Sequence, residues 1–135
     1  MNVLGLNHLT IATADLPRAF DFYTNVLGCR PRARWARGAY LSAGDLWLCL
    51  SSDADAHPTT DYTHAAFTVE VAALDTWRAR LEAAGARIWK SNTSEGESIY
   101  FLDPDGHRLE LHVGDLDSRL ASLREAPYED LELFP

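Results

Sequence analysis

The chain has 135 residues, of which 47% are hydrophobic and 24% charged, a globular rather than disordered balance that suits one compact domain or two small modules sharing a core. A formal net charge of -8 argues against nucleic acid as a partner. Arg18, Arg30, Arg32, Arg34 and Arg37 are interleaved with apolar residues and read as a solvated sheet edge, not as a basic patch. Cys29 and Cys49 are the only cysteines, which suggests reduced thiols rather than a disulfide framework. The start MNVLGLNHLT lacks the features of a signal peptide, and no stretch approaches the ~18 apolar residues of a membrane helix. The expectation is a cytoplasmic protein with no membrane partner.

In chain order, Leu6 to Ala12 reads as a strand. Asp15 can cap a following helix that tolerates Pro17 in its first turn, and Leu16, Phe20, Tyr23 and Leu27 recur at helical spacing until Gly28. Three short strands follow, at about Arg32 to Trp35, Ala39 to Ser42 and Leu46 to Leu50, with Gly38 and Gly44 in the turns. The same order then recurs. Thr63 to Val71 is a strand, and Leu74, Trp77 and Leu81 make the stripe of a helix ended by Gly85. Arg87 to Lys90, Ser98 to Leu102 and Arg108 to Val113 are strands, the last two joined by the turn Asp103-Pro104-Asp105-Gly106. The prediction is an α+β chain built from two βαβββ modules, about 5–52 and 61–114. A helix from Asp115 to Glu125, striped by Leu116, Leu120 and Leu123, and a docked or frayed tail complete residues 115–135. Each module has a sheet with a helix on one face only, so the second face must be covered by the other module or by a subunit. Two curved sheets facing each other would leave a cup for a buried site.

His8 and His64 fall at matching places near the start of each module's first strand, and Glu110 lies on the last strand of the second. Two imidazoles and a carboxylate suit Mn²⁺, Fe²⁺, Zn²⁺ or Ni²⁺, and three protein ligands leave room for Lewis-acid chemistry. His57 and His107 are expected to be solvated, whereas His112 shares a face with Glu110 and could support it or serve as a spare ligand. Thr10 shares a face with His8, and Trp47 shares one with Cys49, where core packing and pocket lining are equally open. Between two strands lies the polar segment Lys90 to Ser98. With Ser98 and Tyr100 on one face and Arg119 beyond, it could hold a phosphate-like dianion, or its carbonyls and hydroxyls a monovalent cation.

At these residues the sequence resembles the glutathione-dependent fosfomycin resistance proteins, within the glyoxalase and vicinal-oxygen-chelate superfamily. The segments that carry the resemblance are GLNHLT (Gly5 to Thr10), LWLCL (Leu46 to Leu50), DYTH (Asp61 to His64) and SEGESIYFLDPDGHRLELHVGDL (Ser94 to Leu116), with Arg119 and APY at Ala126 to Tyr128. The resemblance implies a domain-swapped homodimer in which Mn²⁺ is bound by His8 of one chain and by His64 and Glu110 of the other. It implies Thr10 as a catalytic hydroxyl near the epoxide oxygen, with Tyr40 as a second at the glutathione channel, which Trp35, Arg37 and Ser51 also line. Lys90, Ser94, Ser98, Tyr100 and Arg119 would bind the fosfomycin phosphonate, and Trp47, Cys49 and Tyr62 would line the pocket. K⁺ would act as an activator in the loop holding Asn92, Ser94, Gly96 and Ser98.

Two residues depart from the family's pattern: Thr93 stands where an arginine is expected beside the phosphonate, and Arg37 where a neutral polar residue is common. The short Ala39 to Leu46 stretch lacks the glutamate-bearing insertion of hydrolytic relatives, against epoxide hydrolysis. Addition of another thiol, such as cysteine or bacillithiol, is the nearest alternative. A glyoxalase or dioxygenase would not need the anion clamp, and drug-sequestering relatives have lost the metal ligands that are present here.

Overall fold

A computed structural model describes residues 1–135. The first module runs β1 (His8–Thr13), α1 (Leu16–Asp21), β2 (Arg30–Trp35), β3 (Gly38–Ala43) and β4 (Leu46–Ser52). The second runs β5 (Ala65–Thr68), α2 (Leu74–Ala83), β6 (Ile88–Lys90), β7 (Ser98–Leu102) and β8 (Arg108–His112), and α3 (Leu116–Glu125) follows. Each module is a four-stranded sheet, ordered β1-β4-β3-β2 and β5-β8-β7-β6. In both, the first strand lies parallel to the last while the other pairs are antiparallel. The α+β architecture with a repeated βαβββ unit is therefore the one the sequence predicts.

Local differences have local causes. The first helix is α-helical only to Asp21 and continues as a π-helical turn over Phe22–Val26, where Leu27 N–H reaches Phe22 O. Thr24 Oγ1 donates to Phe20 O at 2.7 Å and competes for the helix's own acceptor. The strand expected from Thr63 to Val71 forms only over Ala65–Thr68, and Val71–Ala73 turns into a 3₁₀ helix leading into α2. Asp115 caps α3 in a reciprocal box with Ser118, so that helix begins at Leu116.

The core faces of the two modules merge. Ile11, Leu41, Leu48 and Leu50 of the first sheet and Ile99, Phe101, Leu109 and Leu111 of the second belong to one cluster, which Phe22 and Tyr23 join from the π turn and Leu74 and Leu81 from α2. A cup between two facing sheets is therefore not formed within one chain: the faces bearing His8 and Glu110 lie opposite this shared core.

The Asp103-Pro104-Asp105-Gly106-His107 segment, expected as a plain turn, fastens the modules. Tyr23 Oη donates to Asp103 Oδ2 at 2.8 Å, Ala14 N–H donates to Asp105 Oδ1 at 3.0 Å, and His107 Nε2 donates to Ala12 O at 2.7 Å. His107 is thus a half-buried clasp on the end of β1, not the solvated residue expected from a turn position. Burial holds the Asp103 carboxyl above its ordinary range, and the Tyr23 hydroxyl pulls it back down. A raised folded-state value means that stability is lost as pH rises through it, and losing the Tyr23 bond enlarges that loss. Tyr23→Phe should therefore lower the unfolding free energy by about 1–3 kcal/mol at neutral pH. Urea unfolding should show a smaller deficit near pH 4 than at pH 7.

Candidate active site

The open face of the first sheet gathers one set of predicted residues. The register sets His8 against Trp47, Thr10 against Cys49, Tyr40 against Cys49 and Gly38 against Ser51. Alternation then turns His8, Thr10, Tyr40, Trp47, Cys49 and Ser51 to the same side. An aromatic row crosses it, with centroid separations of 4.6 Å for His8–Trp47, 5.1 Å for Tyr40–Trp47 and 4.8 Å for Trp35–Tyr40. Trp35, Tyr40 and Trp47 remain 46%, 39% and 40% exposed, although rings of this size are normally buried. Cys49 is buried beneath them. Arg37 reaches the Ser52 carbonyl at 3.4 Å. His8 Nδ1 lies 2.8 Å from Asn7 Oδ1, so Nδ1 donates and Nε2 stays free to accept.

The open face of the second sheet gathers the other set. Glu110 stands opposite Ala66 and Tyr100, Ser98 opposite His112, and Lys90 opposite Tyr100. His64, just before β5, meets Glu110 with Nε2 3.0 Å from Oε2. His64 Nδ1 lies 2.8 Å from the Tyr62 carbonyl, which can only accept. Nδ1 therefore carries a proton, and a neutral ring then turns the Nε2 lone pair toward a carboxylate oxygen. Two acceptors at that distance need a positive charge between them, either a proton or a metal cation. The donor set fits a divalent cation with nitrogen and oxygen ligands. A single chain does not finish such a site, since no group of three His, Cys, Asp or Glu side chains is arranged to hold a metal ion. His8 lies on the other sheet.

Lys90 donates to the Tyr62 hydroxyl, which pushes its pKa above the ordinary lysine value. Its ammonium sits 4.7 Å and 4.8 Å from the Tyr62 and Tyr100 ring centroids. Arg119 is engaged by the loop before β7: Nε donates to Glu95 Oε2 at 3.1 Å and Nη2 to the Glu95 carbonyl at 2.8 Å. In the same loop Asn92 Nδ2 donates to the carbonyls of Ser94 and Gly96 at 3.2 and 2.6 Å, so both oxygens point inward. Thr93 is exposed and takes part in none of these contacts.

Trp89 is a site neighbour that the sequence did not reveal. It shares a cluster with His64 and Tyr100, at centroid separations of 5.5 and 5.3 Å, and also with Tyr62. A register irregularity between Ile88 and Lys90 accounts for this, because strict alternation would set Trp89 and Lys90 on opposite faces. Glu95, the partner of Arg119, likewise has no local signal in the polar Lys90 to Ser98 segment. A concavity of about 430 Å³ beside Leu27, Phe67, Trp77 and Leu111 contains none of the predicted site residues. Burial pushes the Cys29 thiol at its edge up to about 11, so it stays protonated at neutral pH.

Residues 5–111 match the model of the Glyoxalase/Bleomycin resistance protein/Dioxygenase superfamily. The chain belongs to this superfamily. Among other members, the glutathione transferase FosA of Serratia marcescens is 54% identical over 128 residues, covering 92% of this chain and 91% of its own. The metallothiol transferase FosB of Shouchella clausii is 40% identical, over 88% of this chain and 86% of its own. A mutant of the fosfomycin resistance protein FosX from Listeria monocytogenes, complexed with Mn(II) and 1S,2S-dihydroxypropylphosphonic acid, aligns with a TM-score of 0.80 and 28% identity over 89% of this chain and 99% of its own.

Within this superfamily member, the loop leading into β7 is held tightly against the Glu110 strand. Gly96 has φ +79°, and a Cβ there would fall 2.5 Å from the Val113 carbonyl and 2.8 Å from His112 Cε1. Gly96→Ala should cost about 1–3 kcal/mol through backbone strain and collision. Urea unfolding measures the loss, and the nuclear magnetic resonance signals of the His112 ring should shift with it.

Proposed function

We propose that this chain is a cytoplasmic, Mn²⁺-dependent enzyme that inactivates fosfomycin by adding the thiol of glutathione to its epoxide. One observation carries the reading: the residues for metal, anion and thiol fall on two open sheet faces, in a chain 54% identical to a protein named glutathione transferase FosA. The Mn(II) in the FosX structure and the name metallothiol transferase for FosB support the metal.

His8, His64 and Glu110 hold the ion, His8 coming from the partner of the chain that supplies the other two. The homodimer rests on the exposed aromatic row and on the separation of His8 from Glu110 within one chain. When bound, the cation supplies a Lewis acid that draws charge from the epoxide oxygen. Lys90, Ser94, Tyr100 and Arg119 hold the phosphonate and fix the reacting carbon for attack, and Ser98 can join only by turning its single proton away from Glu110. Trp47, Cys49 and Tyr62 line the pocket. Trp35, Arg37 and Ser51 line the approach of glutathione, whose net negative charge suits a half-chain (residues 1–52) with five arginines against three aspartates. The Tyr40 hydroxyl hydrogen-bonds the sulfur and favours the thiolate. Sulfur attacks an oxirane carbon, a C–S bond forms as the C–O bond breaks, and the proton released by the thiol ends on the oxygen, with Thr10 donating a hydrogen bond there. Asn92, Ser94, Gly96 and Ser98 of the loop before β7 would hold K⁺, which would add positive charge beside the phosphonate.

Consumption of fosfomycin with Mn²⁺ and glutathione, cysteine or water as competing nucleophiles tests the reaction. Glutathione should be the preferred nucleophile, and preference for water or cysteine would contradict the proposal. A charge-assisted hydrogen bond contributes roughly 1.5–3 kcal/mol, so Arg119→Ala should raise the Michaelis constant for fosfomycin about 10- to 100-fold. Mn²⁺ affinity without substrate should stay unchanged, and an unchanged Michaelis constant would remove Arg119 from the clamp.

A further inference from the structure

Ser98 and His112 face each other across β7 and β8, two register positions from Tyr100 and Glu110 and on the same face of the sheet. The Ser98 hydroxyl oxygen lies 2.6 Å from Glu110 Oε1 and 2.7 Å from His112 Nδ1, and Nδ1 is 3.4 Å from the same carboxylate oxygen. An ionised carboxylate only accepts, so the single Ser98 proton goes to Glu110. The hydroxyl oxygen must then accept, and His112 donates from Nδ1. Donor order thereby sets the tautomer of His112.

The ring is also fixed in place. A Cβ on Gly96 would come within 2.8 Å of His112 Cε1, and one on Gly114 within 3.3 Å of Nε2. Both glycines have positive φ, +79° and +123°, so the backbone closes around the imidazole where a side chain would not fit. His112 itself is half-buried and Glu110 is only 7% exposed.

We infer that His112 is a positioning residue for Glu110, acting through the Ser98 hydroxyl. The chain of donors anchors Oε1 and leaves Oε2 aimed at His64. It selects one rotamer of the carboxylate before any cation arrives, which lowers the ordering cost of binding. A second consequence concerns the anion site: while Ser98 donates to Glu110, it has no proton for a phosphonate. The inference rests on the reading of Glu110 as a metal ligand, and its test separates the two.

Mn²⁺ affinity is measured by electron paramagnetic resonance titration, with circular dichroism confirming the fold of each variant. The variants are Ser98→Ala, His112→Leu and His112→Asn, the last keeping an N–H donor at the Nδ1 position. Loss of an outer-shell partner costs about 10- to 100-fold in metal affinity. Ser98→Ala and His112→Leu should each show such a loss, their combination should be no worse than either alone, and His112→Asn should restore most of the affinity. Where His112→Leu fails to fold, His112→Gln replaces it, since its amide reaches the Nε2 position instead and should not rescue. Nitrogen chemical shifts of the metal-free protein should show the Nδ1–H tautomer of His112. Wild-type affinity in His112→Leu or His112→Gln, failure of His112→Asn to rescue, or an Nε2–H tautomer would overturn the relay. A wild type with the Nδ1–H tautomer but no Mn²⁺ affinity would overturn the metal reading and leave the relay standing.

Discussion

A four-stranded sheet has two faces, and the helix of a βαβββ unit covers one of them. In this chain both helix-side faces go into a single shared core, which Tyr23, Asp103, Asp105 and His107 clasp across the modules. The two remaining faces therefore carry His8 and Glu110 outward, away from each other. Everything proposed about the site depends on this division. It leaves a row of large rings open on one sheet and the His64–Glu110 pair on the other, and in the proposed dimer a second copy of the chain would answer both at once.

Charge makes the same point at atomic scale. His64 Nε2 and Glu110 Oε2 approach to 3.0 Å, Lys90 lies between two tyrosine rings, and Arg119 is paired with Glu95 at the edge of the loop. The cationic groups needed for a dianion are thus present but already engaged by tyrosine hydroxyl and carboxylate partners. In the proposed site an anion would exchange these existing bonds for others, so selectivity would come from differences between bonds rather than from vacant donors. Cys49 stays buried beneath the rings, and the proposed nucleophile is an external thiol.

Much of this was legible in the sequence because it is periodic. The Leu16, Phe20, Tyr23 and Leu27 stripe, the paired positions of His8 and His64 and the alternation through Ser98, Tyr100 and Glu110 fix the elements and the faces they present. What was not legible depends on departures from period. The π turn after Asp21 follows from a threonine hydroxyl competing for a backbone acceptor. Trp89 reaches the His64 cluster through a strand irregularity that no alternation rule foresees. His107 clasps β1 across 95 residues of sequence, and Glu95 meets Arg119 across 24, so neither pairing has a local signal. The relation of the two faces is a matter of tertiary packing, which is why a cup within one chain was open to expectation and is absent.

Sharing of the site between chains is the most exposed claim, and subunit mixing tests it directly. His8→Ala and Glu110→Ala chains should each be inactive as homodimers. If His8 of one chain meets Glu110 of the other, a mixed dimer holds one intact site and one doubly damaged site. Mixing the two inactive proteins under conditions of proven subunit exchange should then restore Mn²⁺- and glutathione-dependent loss of fosfomycin. No activity after proven exchange would contradict shared sites and require His8, His64 and Glu110 to meet within one chain.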